Sequence, residues 1–488
     1  MPPAPSGARI SQSPNCVPAA TGIDHRIIFG TRVLLASAKC AGVAGCCTLS
    51  RMKNNRLLIL VVAQLAAQRA PDASLMDEIN RIKAVDNHTH VPRVVGPGEK
   101  DDDYDALPCS GYLEPSPDPV MARPENSLFL EAWQKIYRYK YDDRSPEHIS
   151  GLLATKQEIA RQEGDNFPTW VLDQLGIEYM LANRVAMGRG LKTPRFLWVP
   201  FDDALMLPLG AEAMADTPDR RFFYQREAML QERYRKESNV QGTPPTLDEY
   251  VASVVVPTLD RQKKAGAVAV KFEAAYLRSL NFAEPQQEEA RSLYARYAKQ
   301  SSPTKPEYLK IQDYLFRVIA REAGRQGLPV HIHTGAGCGG YFNLGGSNPS
   351  LLDSVLNDAS LRKTNFVLVH GGAGPYTKVT SFQLSKPNVY ADFSEQDWLI
   401  SPRMLSLVLR DWLEWYPEKV LFGTDLFPGA AEIDWPEIGY MTSVTGRRAL
   451  ALALTGMVDD GEITHDRAVE LARMVLRENA MKLYGLPK

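Results

Sequence analysis

An α/β fold of eight parallel strands closed into a barrel is what this sequence predicts, on three observations. Eight short apolar runs follow one another between residues 84 and 425. Helix-forming stretches fill most of the intervals, and strands that alternate with helices pair in parallel through crossover connections. Polar and ionisable residues, histidines among them, end the runs, at the strand ends where a (β/α)8 TIM-like barrel gathers its chemistry.

The elements follow in order. Residues 74–83 (SLMDEINRIK) read as a helix leading into the first strand, AVDNHTHV. A long insertion after this strand, to about residue 164, contains DDDYDALP, CSGYLEPSPDP and a helical FLEAWQKIYRYKY. Connections of that length are usually lids or binding loops, and this one starts beside the end of strand 1. IEYMLANR and RFLWVPF supply strands 2 and 3. The second insertion, about residues 202–246, is rich in helix formers and charge, and is expected as a solvated helical hairpin without a catalytic part. TLDEYVASVVVPTLDRQKKAG is then one helix returning the chain to strand 4, AVAVKFEAAY. LPVHIHTG, NFVLVHGG, NVYADFS and KVLFGTD complete the eight. The glycine-rich GAGCGGYFNLGGS after strand 5 lacks the lysine and spacing of a phosphate loop; its glycines are expected to let backbone pass close to the site, or to make a mobile loop.

The chain has 488 residues, 56 Lys and Arg against 58 Asp and Glu, and a net charge of -2. Neither a nucleic acid nor a membrane surface is implied as partner. A small-molecule substrate is the default, with room left for a homo-oligomer. The first fifty residues hold four of the six cysteines and no amphipathic period. From Met52, a basic MKNNR, an apolar LLILVVAQLAA and a polar QRAPDAS have the layout of a secretory leader, with an apolar run too short for a permanent membrane span. Residues 1–51 are therefore expected to be an extension outside the natural product, 52–70 a leader, and 71–488 the barrel. Export follows if Met52 is the start, and a cytoplasmic location otherwise. Cys109 and Cys338, on separate loops, make no disulfide framework and are left as free thiols.

Chemistry concentrates in two pairs, His88-Thr-His90 and His331-Ile-His333. Residues two apart on a strand face the same side, so each pair can aim two imidazoles at one point. Neutral imidazole and carboxylate suit zinc, with manganese as the alternative, and one ion or two can be accommodated. His88 and His90 are the firmest ligands, because two buried histidines without metal would need other partners. Asp86, two residues earlier, is expected on the same face and deeper, orienting the ligands.

His88 and His90, Lys271 on strand 4, His333 on strand 5, His370 on strand 6 and Asp425 on strand 8 together resemble the amidohydrolase superfamily, in its amidohydrolase-related branch. The resemblance runs from about residue 84 to 486, with five motifs in order and a closing ENAMKLYGL. It implies a metal-dependent barrel whose members include hydrolases of amides and lactones and several decarboxylases. It implies that His333, rather than the deeper His331, is the strand-5 ligand, leaving His331 to orient it. His370 either binds a second metal or acts on the substrate. Asp425 is implied to contact the metal and take up a proton. Lys271 is either carboxylated, bridging two ions, or an ordinary cation; inside a barrel it must be carbamylated or paired with an acid such as Glu273 or Asp425. Candidates for substrate contact are Arg184, Tyr276, Arg278, and Glu395 or Gln396. The leading reading is hydrolysis of an amide, lactone or ester by a metal-activated water. A decarboxylase on the same barrel is the rival, and a silent metal-binding barrel the third.

Overall fold

The computed structural model describes residues 70–487, apart from 110–112, 115, 116, 285, 300 and 301. The predicted extension at 1–51 and nearly all of the leader at 52–70 lie outside the described residues.

All eight predicted strands are present: β1 (Ala84–Thr89), β2 (Ile177–Asn183), β3 (Phe196–Val199), β4 (Val270–Phe272), β5 (Val330–His333), β6 (Phe366–Val369), β7 (Val389–Asp392) and β8 (Val420–Leu421). β1 to β3 pair in parallel in sequence order, as do β4 to β8. Backbone hydrogen bonds cross both seams between these sheets. Val268 and Lys271 donate to the carbonyls of Trp198 and Pro200, while Asn87 donates to Phe422 and Asp425 to His88. The ring of strands is an α/β barrel with its helices outside, including Lys305–Arg325, Pro402–Trp415 and the 25-residue Trp435–Asp459. Side chains such as Phe272, Ile319, Leu368, Leu409 and Leu450 are buried in its main core.

Two local departures from regular geometry matter. The register of β1 against β2 shifts between Asp86 and Thr89. An extra residue at such a bulge breaks the two-residue alternation, so Asn87 and His88 contact the barrel interior in succession. Asp86 instead accepts hydrogen bonds from Thr424 N and Oγ1, at 3.0 and 2.7 Å, on the neighbouring strand end. The expectation that Asp86 shares a face with His88 is thus corrected by the bulge. The predicted 246–266 helix runs as Leu247–Tyr250, a π-helical Val251–Val255 and Val256–Lys264. Pro257, near the start of the last segment, has no N–H to donate into the preceding turn, and a π turn accommodates that loss.

The second insertion is also corrected. Its helix, Pro218–Glu237, buries Phe223, Tyr224, Leu230 and Tyr234. Tyr224 and Tyr234 donate to the carbonyls of Leu277 and Phe201, so this helix is one wall of the core rather than a solvated hairpin. Cys109 and Cys338 are bonded to each other, with Cα atoms 5.9 Å apart. The pairing joins the insertion after β1 to the glycine-rich loop after β5, loops whose proximity no sequence spacing reveals. Gly335 in that second loop has φ +91°, and a Cβ there would fall 2.2 Å from Ala373 N. Glycine is what lets the loop pass the end of β6.

Candidate metal centre

The strands deliver their polar residues to one end of the barrel. His88 Nε2 lies 3.2 Å and His90 Nε2 3.5 Å from the same atom, Asp425 Oδ1. One donor atom from each residue lies within 4.8 Å of the others. All three residues are buried, and among the described residues none donates a hydrogen bond to Asp425 Oδ1. A buried carboxylate oxygen without a donor is costly. Faced by two imidazole nitrogens, it forms with them a donor set that a divalent cation satisfies, so the residues present fit a metal.

The other histidines extend this trio. The His370 ring lies 5.0 Å from that of His88 and 4.7 Å from that of His333, centroid to centroid. Ser394 Oγ donates to Asp392 Oδ1 at 2.6 Å and lies 2.9 Å from His370 Nδ1. With its proton spent on the carboxylate, that hydroxyl accepts from Nδ1–H, which leaves the Nε2 of His370 as the lone-pair nitrogen. His333 Nε2 faces the Ala336 carbonyl at 2.7 Å and must donate to it, leaving Nδ1. His331 lies deeper, with Nε2 2.7 Å from the Tyr484 hydroxyl, which itself meets Asn87 Oδ1. Its Nε2 is thus engaged, while its buried Nδ1 finds no hydrogen-bond partner among the described residues.

Burial holds His88, His333 and His370 well below the ordinary imidazole range, reinforced by the Lys271 charge on all three and by His333 on His370. Each is neutral, the form that ligates metal. Burial raises Asp425 to about 8 against the opposing pull of His90. It also raises Glu395 to about 8 and Glu273 well above the carboxylate range.

Lys271 is buried, with Nζ 3.3 Å from His88 Nε2 and 3.7 Å from Glu273 Oε1. Of the acids named for it in the sequence, Glu273 is the one within ion-pair distance. Tyr276 packs on His333 at 4.7 Å between ring centroids, and on Phe342 at 5.1 Å. The two arginines are placed elsewhere. Arg184 makes a two-pronged bond to Asp101 at 2.8 Å and bonds the carbonyls of Val91 and Ala186. Arg278 bonds Asp313 at 2.6 Å, Gln312 at 3.1 Å and the carbonyls of Ser279, Leu309 and Asn281. Both spend their donors holding loops. Gln396 donates to the His370 carbonyl at 3.0 Å. Asp105, at 3.3 Å from His90 Nδ1, and the Asp392–Ser394 pair behind His370 escaped sequence reasoning. Asp105 is one of several acids in an insertion without periodicity, and Asp392 reads as an ordinary strand end.

His370, Glu395 and Asp425 adopt φ of +66°, +66° and +52°. A left-handed backbone costs a non-glycine residue on the order of 1 kcal/mol or more, and such residues gather at functional sites. Here they follow β6, β7 and β8, the strand ends that carry the site.

A parallel α/β barrel with two histidines and a carboxylate converging at its strand ends defines a metal-site barrel. The chain belongs to the amidohydrolase family, whose sequence profile matches residues 85–486. It is similar in structure to a protein described as a metal-dependent hydrolase from Lactobacillus casei ATCC 334, with TM-score 0.53 and 15% identity over 84% of this chain and 97% of that one. It is also similar to uronate isomerase from Thermotoga maritima, with TM-score 0.51 and 16% identity over 84% and 96% of the two chains. At these identities the likeness is one of fold. In sequence, 202 residues are 29% identical to protein fluG of Emericella nidulans, covering 40% of this chain and 22% of that protein. The chain thus spans about a fifth of that relative's length.

Proposed function

We propose that this chain is a metal-dependent hydrolase of an amide, lactone or ester bond in a small molecule. The observation that carries this reading is the convergence of His88 Nε2 and His90 Nε2 on an Asp425 oxygen that accepts no hydrogen bond from the described residues. His88, His90 and Asp425 would hold the ion, with His333 and His370 adjoining, and zinc suits this donor set best. When bound, such an ion lowers the pKa of a water toward neutrality and polarises a carbonyl. Asp425 takes up a proton and passes it to the leaving group. His370, held through Nδ1 by Ser394, presents Nε2 to the substrate side. Tyr276 and Phe342 form an aromatic wall beside His333. Asp86 ties the ends of β8 and β1 together through Thr424 and, at 3.4 Å, the His88 amide. The test is metal analysis of purified protein beside turnover of a panel of amides, lactones, esters and aromatic carboxylates. Release of carbon dioxide from the last group, with no hydrolysis, would replace this reading with the decarboxylase.

Lys271 admits two chemistries, pairing with Glu273 or carboxylation, and the second would recruit another ion. If it is carboxylated, bicarbonate during reconstitution raises occupancy toward two ions per chain, and Lys271→Ala holds it to one at most. A variant with full occupancy and full activity would make Lys271 a bystander.

Export is proposed on the leader-like segment after Met52 and is supported by the Cys109–Cys338 bond, since disulfides persist in oxidising compartments. N-terminal sequencing of protein from its native host is expected to begin near residues 67–70. A chain starting at Met1 would refute it.

A further inference from the structure

A chain of hydrogen bonds runs through the barrel interior from the closing helix, Asn479–Tyr484, to the histidine after β6. The Tyr484 hydroxyl lies 2.7 Å from His331 Nε2 and bonds Asn87 Oδ1. Asn87 Nδ2 donates to Asp392 Oδ2 at 2.6 Å. The other oxygen of Asp392 accepts from Ser394 Oγ at 2.6 Å, Ser394 N at 3.2 Å and His370 N at 2.9 Å. His370 Nδ1 in turn faces Ser394 Oγ at 2.9 Å and the Ser394 carbonyl at 3.2 Å. Asn87, His331, Asp392 and Ser394 are wholly buried, which keeps bulk water from competing.

The partners set the direction of each link. Donors meet both oxygens of Asp392, so a proton there would have no acceptor; burial raises this carboxyl and the same donors oppose the rise. Asn87 therefore turns its NH2 to Asp392 and its carbonyl to Tyr484, whose hydroxyl donates to Asn87 and accepts from His331 Nε2–H. One acceptor and one donor are needed on opposite sides of position 87, and an amide offers both where a carboxylate or a hydrocarbon does not. The register shift in β1 is what turns Asn87 inward. At the far end His370 is held twice. Asp392 takes the backbone N–H of this left-handed residue, at φ +66°, and orients its ring through Ser394.

We propose that Asn87 and Tyr484 are positioning residues for His370, acting from the floor of the barrel through Asp392 and Ser394. Buried hydrogen bonds in series polarise and orient one another, so a bond lost at one end is felt at the other. The bearing on catalysis rests on the hydrolase reading, in which His370 Nε2 faces the substrate. The hold on the Nδ1 proton does not.

The experiment follows exchange of the His370 Nδ1 proton with solvent, by NMR of the zinc-loaded full chain with isotopic nitrogen in its histidines. Loss of the resonance in His370→Gln identifies it, and its exchange rate reports how often the site opens. Asn87→Asp and Asp392→Asn each set like groups against one another across the Asn87–Asp392 contact. Each is expected to speed exchange by about ten- to a hundredfold, the cost of leaving buried groups unpaired. The double variant, Asn87→Asp with Asp392→Asn, trades carboxylate for amide and again sets a donor against an acceptor. Its exchange should return to within about fivefold of the parent. Tyr484→Phe deletes one hydroxyl and keeps the ring, so it decides the matter should the others not fold; about fivefold faster exchange is expected, the worth of one neutral hydrogen bond. The Trp412 Nε1 proton, bonded to the Thr377 carbonyl at 2.9 Å in the helical layer, is the reference. A merely structural role would speed both protons together. Unchanged His370 exchange in Tyr484→Phe, no recovery in a folded double variant, or equal acceleration at Trp412 overturns the proposal. Because the measurement requires no turnover, the expected exchange pattern with no hydrolysis of any panel compound would leave the positioning role standing and refute the reaction alone.

Discussion

Asp425→Asn should lower turnover by about two to four orders of magnitude, the usual worth of a positioned general base. Asn keeps the shape and one oxygen directed at His88 and His90 but cannot accept a proton. The variant should retain most of its metal through the histidines, which separates loss of chemistry from loss of the ion. Metal content is therefore measured in the sample used for kinetics. Normal metal with near-normal turnover would mean that another group handles the proton, and the proposed mechanism would fall.

His88→Ala and His90→Ala are expected to strip the purified protein of most of its metal, one or two ions per chain in the parent. Losing a residue that only orients a ligand costs about 10- to 100-fold in affinity, so losing a ligand itself should exceed a hundredfold. Circular dichroism and thermal melting should show both variants folded, because the strand ends stay fixed by backbone bonds such as Asp425 N to the His88 carbonyl at 2.8 Å. Unchanged metal in both variants would sink the assignment of these ligands.

The barrel was legible because each buried strand is a short apolar run, and parallel strands covered by helices leave that signature. His88 and His90 were legible through their spacing. What failed did so for identifiable reasons. The facing of Asp86 was inferred from strict alternation, which one residue of register shift undoes. The bond between Cys109 and Cys338 depends on two loops meeting after the chain has closed on itself. Arg184 and Arg278 stand at strand ends where substrate contacts are sought, yet buried partners from elsewhere in the chain had prior use for them. Asp105 and Asp392 earn notice only through what they touch.

One further consequence comes from Tyr484. Its hydroxyl meets His331 and Asn87, and Ala480 and Met481 just before it are buried with Val85 and Leu421 at the foot of the strands. The first strand is among the earliest parts of the barrel made on the ribosome, and the helix that plugs it is among the last. Until residue 484 has emerged, His331 and Asn87 lack this partner and the strand floor is open to water. A nascent chain stalled before that helix should therefore be protease-sensitive and prone to capture by chaperones, even with every metal-binding residue already translated.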